Sequence, residues 1–144
     1  MELTPRLKLA AEYCLPCKKI IDVGCDHAYL CLHLVEQGAE SAVASDIRPG
    51  PLAAAKEHIA ACGMTERVRA VLCPGLEAFG PEDADAISIH VPLNASTRGM
   101  VGAELLSHCK DGVVVVNTGR GGLVDDDALM AALDSGKVAH AGLD

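Results

Sequence analysis

The residues with the clearest chemical promise lie in "IIDVGCDHAYL", residues 20–30, where an apolar run breaks at Asp22 and Gly24 and Asp26 and His27 precede a helical pattern. A strand that turns at glycine into a helix presents unpaired backbone N–H groups to a ligand, because glycine allows the tight turn and the first helical turn has free donors. A turn shaped for a dinucleotide would read Gly-x-Gly-x-x-Gly, since its second glycine lets the pyrophosphate approach the backbone. Asp26 stands at that second position. A carboxylate opposes a pyrophosphate but tolerates a cationic or zwitterionic ligand. The turn therefore favours S-adenosylmethionine or S-adenosylhomocysteine, with NAD as the alternative. Asp46 lies 22 residues beyond Gly24 and is followed by Ile47. At the end of a second strand an acid can accept both ribose hydroxyls, a contact common to both cofactors. A merely capped turn with a solvated acid is the plainer alternative, and the Gly24-to-Asp46 spacing argues against it.

These residues need a scaffold, and the pattern of the chain supplies one. Thr4-Pro5 opens a helix over "RLKLAAEYCL" that stops at Pro16. "KKIIDV", "SAVASD", "VRAVL", "ADAISIHV", "GVVVVN" and "KVAHAGLD" read as six strands, separated by helical stretches at "HAYLCLHLVEQG", "GPLAAAKEHIAACG", "STRGMVGAELLSHCK" and "DDDALMAALDSG". The segment "CPGLEAFGPED" leaves room for only one or two helical turns. Strands that are continuously apolar and alternate with helices predict α/β architecture: a Rossmann-like, doubly wound, six-stranded parallel sheet of order 3-2-1-4-5-6 with helices on both faces. Its ligand crevice lies at the carboxyl ends of strands one and four.

Bulk composition narrows the partners. The 144 residues fit one domain, 1–144, and a net charge of −8 repels phosphate backbones, so no nucleic acid is expected. No apolar stretch is long enough for a membrane span. Seven cysteines, an odd number with no leader-like segment ahead of them, read as reduced thiols in the cytoplasm. Cys14 and Cys17 form one Cys-x-x-Cys without a second pair, and it closes a helix rather than opening one, so no metal or redox site is expected. Oligomeric state is not legible.

"RLKLAAEYCLP", "IIDVGCDHAYLCLHLVEQG", "ASDIRPGPLAAAKEHI" and "GLEAFGPEDADAI" together resemble the bacterial tRNA (adenine-22-N1) methyltransferase family, of class I S-adenosylmethionine-dependent fold, over about residues 5–87. The resemblance implies that the turn matching Asp22, Gly24, Asp26 and His27, the strand end at Asp46 and Ile47, and Gly75 of the "GL" segment hold the cofactor. Pro74 stands where that family usually has Asp or Asn near the adenine, and the family's "AGMGG" stretch is missing.

From about residue 85 to 144, "HVPLNAST" and "NTGRGGLVDDDALMAAL" resemble instead the NAD-binding domain of D-isomer-specific 2-hydroxyacid dehydrogenases. That resemblance implies that Pro92 lines the cofactor crevice, that Thr118 and Asp144 reach the nicotinamide amide, and that Arg120 is a vestigial clamp for a substrate carboxylate. His90 is expected to pack near the crevice. The family's catalytic glutamate and histidine follow the position of Asp144, where this sequence stops. The two patterns meet at "DADAI", dividing the chain into a methyltransferase-like half, 1–87, and a dehydrogenase-like half, 88–144. The expectation is an engineered chimeric scaffold that binds S-adenosylmethionine or S-adenosylhomocysteine and has no complete catalytic machinery. A truncated NAD-binding oxidoreductase domain and a ligand-free structural chimera are the alternatives.

Overall fold

The structure, a computed structural model, describes residues 2–72 and 84–143. Pro74, Gly75, Asp144 and the whole "CPGLEAFGPED" crossover lie outside the described residues. Of that crossover segment, residues 73–83, nothing is described either.

Local chemistry accounts for the element boundaries. Thr4 caps α1 (Pro5–Cys14), its Oγ1 accepting from the Leu7 N–H at 3.3 Å, and Pro5 occupies the first helical position, where its missing donor is harmless. β1 (Lys19–Val23), α2 (Tyr29–Glu36), β2 (Ser41–Asp46), α3 (Pro49–Ala61) and β3 (Val68–Leu72) follow, and then β4 (Ala86–Ile89), α4 (Ala103–His108), β5 (Val113–Asn117), α5 (Asp126–Ser135) and β6 (Val138–Leu143). Asp125 caps α5 through the Ala128 N–H at 3.2 Å, Asp126 and Asp127 favour its positive end, and Gly136 closes it at φ +84°.

The six strands form one parallel sheet, β3-β2-β1-β4-β5-β6, as the sequence predicts. Every residue of β4 and β5 is buried, which is why these strands read as unbroken apolar runs. One face carries the core of α1, α2 and α3, including Ala10, Leu30, Leu34, Leu52 and Ile59 over Ile20, Val114 and Val116. The other carries Leu106, Leu129 and Ala132 from α4 and α5 over Ile21, Ile87, Ile89 and Val115.

Residues 96–110 depart from the single helical stretch their pattern suggests. Only Ala103–His108 is helical. The Asn94 Oδ1 instead accepts from the backbone N–H groups of Ser96 and Thr97 at 2.9 and 3.1 Å, Gly99 takes φ +66°, and Val101 pairs with Val124. An asparagine that bonds its own following backbone offers a turn in place of a helix.

β4 is flanked by β1, with Asp22 beside Ser88, and by β5, with Ser88 beside Val116. Asp85, just ahead of it, ties the sheet's opposite edge: Oδ2 accepts from the Lys18 and Lys19 N–H groups at 3.0 and 2.9 Å, and Oδ1 from the Lys110 ammonium at 2.6 Å. Helix α1 reaches across β4, β5 and β6, with the Tyr13 ring lying where Gly142 has no side chain.

Candidate functional site at the strand ends

Gly24 takes φ +82°, and a Cβ there would sit 2.9 Å from the carbonyl carbon and oxygen of His90 and 3.0 Å from Val91 Cγ1. The turn after β1 is thus pressed against the end of β4, and only glycine meets both demands. The Gly24 and Cys25 N–H groups both donate to the Ser45 carbonyl at 2.9 Å, locking the turn onto β2 as well. Asp26 and Ala28 also lie in the left-handed region, at φ 52° and 64°. Aspartate tolerates that conformation; for alanine it costs about 1 kcal/mol. Ala28 precedes α2 rather than opening it, and no side chain caps that helix.

Three carboxylates gather around this turn. Asp22 is buried, with Oδ2 accepting a long contact from the Cys31 thiol at 3.9 Å and Oδ1 left without a hydrogen-bond partner. Burial, reinforced by the charge of Asp46, pushes its carboxyl up to about 7. Asp46 is also enclosed, but its carboxylate is richly bonded: Oδ1 accepts from the Arg48 N–H and Nε at 2.9 and 3.1 Å, and Oδ2 from Arg48 Nη2 at 3.2 Å and the Asp26 N–H at 3.3 Å. Burial acts to raise this group, but the hydrogen bonds from Arg48 and Asp26 outweigh it and hold the carboxyl below its usual range. The Asp26 side chain is exposed, 3.7 Å from His27 Nε2. His27 stacks loosely with Tyr29 and His58, each ring centroid 5.5 Å away, and its carbonyl lies 3.1 Å from His58 Nδ1. Ile47 is 63% exposed beside Asp46.

From the other side of the crevice, His90 inserts its ring between Ser88 Oγ, 2.6 Å from Nε2, and Thr118 Oγ1, 2.8 Å from Nδ1. Its Nε2 is also 3.5 Å from Asp22 Oδ1. Burial, with the charge of Arg6, lowers the imidazole to about 4, so it is neutral near pH 7. Asn117 folds the next loop, its Oδ1 accepting from the Gly119 N–H at 3.0 Å and its Nδ2 donating to the Arg120 carbonyl at 2.9 Å. Arg120 is exposed, and the Pro92 carbonyl accepts from Thr97 Oγ1 at 2.7 Å.

The structure thus joins Asp22, Gly24, His90 and Thr118 at one place and links Asp26 to Asp46 beside it. Pro92 and Arg120 sit in the neighbouring loops with their own local bonds. Sequence reasoning missed Arg48, Cys31 and Ser88. An arginine two residues after a strand-end acid was a readable signal for Arg48; the one polar residue inside the apolar run "AISI" was a weaker one for Ser88. Among the described residues no group of three or more His, Cys, Asp or Glu is placed to hold a metal, and six cysteines are free. Cys14 is buried, its thiol pushed up to about 12 by burial and then by Asp22, as suits an inert core residue.

Two segments of the chain match known families. Residues 3–91 match the model of a methyltransferase domain, a span of more than half the chain. The chain belongs to the methyltransferase domain family. Residues 75–144 match a second model, D-isomer specific 2-hydroxyacid dehydrogenase, NAD binding domain, so a two-part chimera of a methyltransferase-like and a dehydrogenase-like segment is supported. The two matches overlap over 75–91, which includes β4.

Two similar proteins are reductases. 4-Methyl-2-oxopentanoate reductase A of Aspergillus oryzae is 56% identical over 61 residues, 42% of this chain and 18% of that protein. Hydroxypyruvate reductase of Thermotoga maritima is 51% identical over 63 residues, 44% of this chain and 21% of that protein. The chain therefore spans about a fifth of the length of these relatives. Among solved structures, D-lactate dehydrogenase of Lactobacillus jensenii with NAD+ matches with a TM-score of 0.67 at 27% identity, over 88% of this chain and 34% of that one. D-Mandelate dehydrogenase of Rhodotorula graminis reaches 0.70 at 29% identity with the same coverage. The sheet as a whole, the methyltransferase-like segment included, is similar in shape to these dehydrogenases over 88% of the chain. No helix among the described residues is long and apolar enough to cross a membrane.

Proposed function

We propose that this chain is an engineered chimeric scaffold, one domain over 1–144 with its seam near Ile87, that binds S-adenosylmethionine or S-adenosylhomocysteine rather than catalysing a reaction. The observation that carries this reading is the exposed Asp26 carboxylate on the turn after β1, whose backbone N–H donates to Asp46 Oδ2 at 3.3 Å. Such a field opposes a pyrophosphate and suits a ligand bearing an ammonium or sulfonium group. In this reading Asp46 receives the ribose, Gly24 lets the turn that borders the cofactor pack against the end of β4, Asp26 faces the cationic portion, and Ile47 and His27 border the nucleoside. Gly75 belongs to the same set by family resemblance. S-adenosylmethionine, when bound, supplies an electrophilic methyl group. His90 is held between Ser88 and Thr118 as a neutral ring, an arrangement that favours a structural role over proton transfer.

NAD is the second reading. It is favoured by the ordered loop that Asn117 builds around Arg120 and by Thr118 at the end of β5, with Pro92 and Asp144 as its further cofactor residues. Titration calorimetry with S-adenosylmethionine, S-adenosylhomocysteine and NAD separates the two. The expected result is heat with the first two ligands, abolished by Asp46→Ala. Asp26→Gly removes the opposing charge, so NAD binding that appears in that variant supports the dehydrogenase reading. Silence with every ligand would leave a ligand-free structural chimera.

A further inference from the structure

The Asp46 carboxylate has no spare acceptor position. Two carboxylate oxygens offer about four lone-pair sites, and four donors already fill them: the Arg48 N–H and Nε on Oδ1, and Arg48 Nη2 and the Asp26 N–H on Oδ2. Two of these are backbone donors fixed by the turns that carry them. The other two, Nε and Nη2, come from one guanidinium, one to each oxygen. A ribose cis-diol would present its two hydroxyls to the same acid in the same way, one donor to each oxygen.

From this coincidence we infer that the Arg48 side chain is a latch that occupies the diol positions of Asp46, so that a ribonucleoside binds only by displacing it. The inference rests on the nucleoside-binding reading above and adds to it the residue that sets affinity for the ribose. The exchange is physically open. The Arg48 side chain is 60% exposed, so its released guanidinium passes into water, whereas the Asp46 side chain is 2% exposed and must regain donors from whatever replaces it. A diol restores both hydrogen bonds but not the positive charge, so each binding event is weakened by the ion pair it breaks. Ligands without a vicinal diol, such as 2′-deoxyadenosine, can satisfy only one of the two oxygens.

The test is calorimetry with S-adenosylhomocysteine, adenosine and 2′-deoxyadenosine on the whole chain and on Arg48→Ala and Arg48→Met, the second of which retains most of the aliphatic stem. Removing the guanidinium should tighten S-adenosylhomocysteine and adenosine on the order of tenfold and widen the preference for adenosine over its 2′-deoxy form. In the unaltered chain, nitrogen-15 NMR should show the Arg48 Nε–H resonance shifting as S-adenosylhomocysteine is added. Unchanged or weaker binding in both variants, or an Nε–H signal that does not move while ligand binds, overturns the latch. These outcomes differ from failure of the underlying reading. If no nucleoside binds the chain or either variant, the reading itself falls and the latch with it. If S-adenosylhomocysteine binds, depends on Asp46 and ignores Arg48, the latch alone is wrong.

Discussion

Between about pH 4 and 6.5 an unfolded chain carries Asp22 ionised and His90 protonated, one proton between them. Folding moves that proton: burial pushes Asp22 up to about 7 and lowers His90 to about 4, so the acid holds the proton and the imidazole is neutral. The count is the same in both states, and the pair contributes almost no slope of stability with pH in this window. Each residue alone does. A carboxyl raised on folding favours the folded state less as pH rises from its unfolded value of 3.8 to about 7; a histidine lowered on folding favours it more as pH rises from about 4 to 6.5. Denaturant unfolding across this range should therefore show Asp22→Asn gaining stability with pH and His90→Gln losing it, each by up to about 1.4 kcal/mol per pH unit. Slopes of the same sign in both variants would refute this assignment. At Gly24 the positive φ and the His90 carbonyl act together, and Gly24→Ala should cost about 3 kcal/mol in chemical denaturation. Asp22, Gly24, Asp26 and Asp46 were legible in the sequence because strand ends and turns follow from local pattern. The saturation of Asp46 by Arg48 was not, since it depends on where a long side chain points.

Whole elements were easier to read than their edges. Six strands and their order follow from apolar runs alternating with helices, and the sheet has that order. The stretch 96–110 was misread because its apolar residues suit a helix while Asn94 and Gly99 impose a turn first. No sequence pattern signalled that α1 would lie over β6. There a Cβ on Gly142 would come within 2.7 Å of Tyr13 Cγ and Cδ2. Gly142→Ala is expected to destabilise the chain by about 1–3 kcal/mol through this overlap. The loss should largely disappear in a Tyr13→Ala background, where the methyl group has room. A double-mutant cycle by thermal or denaturant unfolding measures it, and an undiminished loss would place the cause in the strand backbone instead.

At the scale of the molecule, Asp85 joins segments that the two family matches bring from different sides: the start of β1 and Lys110 before β5. Burial acts to raise its carboxyl, but the donors Lys110, Lys19 and Lys18 outweigh that and lower it, so its contribution is present above pH 3.8 and is lost as pH falls through the depressed value. Asp85→Asn should lower stability at pH 7 by about 1–2 kcal/mol, with the partial exposure of the lysine limiting the effect. Convergence of variant and parent at strongly acidic pH is the signature to look for. The general architecture was readable because both matched segments alternate apolar strands with helices; the joints were not, because they depend on side-chain contacts between distant parts of the chain.

Helix α1 leaves a ribosome well before the strands it covers, β4 to β6. Its inner face, with Ala10, Ala11 and Cys14, cannot meet Val114 and Val116 until β5 has been made. During synthesis, then, helix α1 has α2 to pack against but lacks its strand partners for about a hundred residues. A sheet covered by an element made before its central strands gains its final cooperativity only once those strands have been made, and until then the nascent chain exposes apolar surface that favours association.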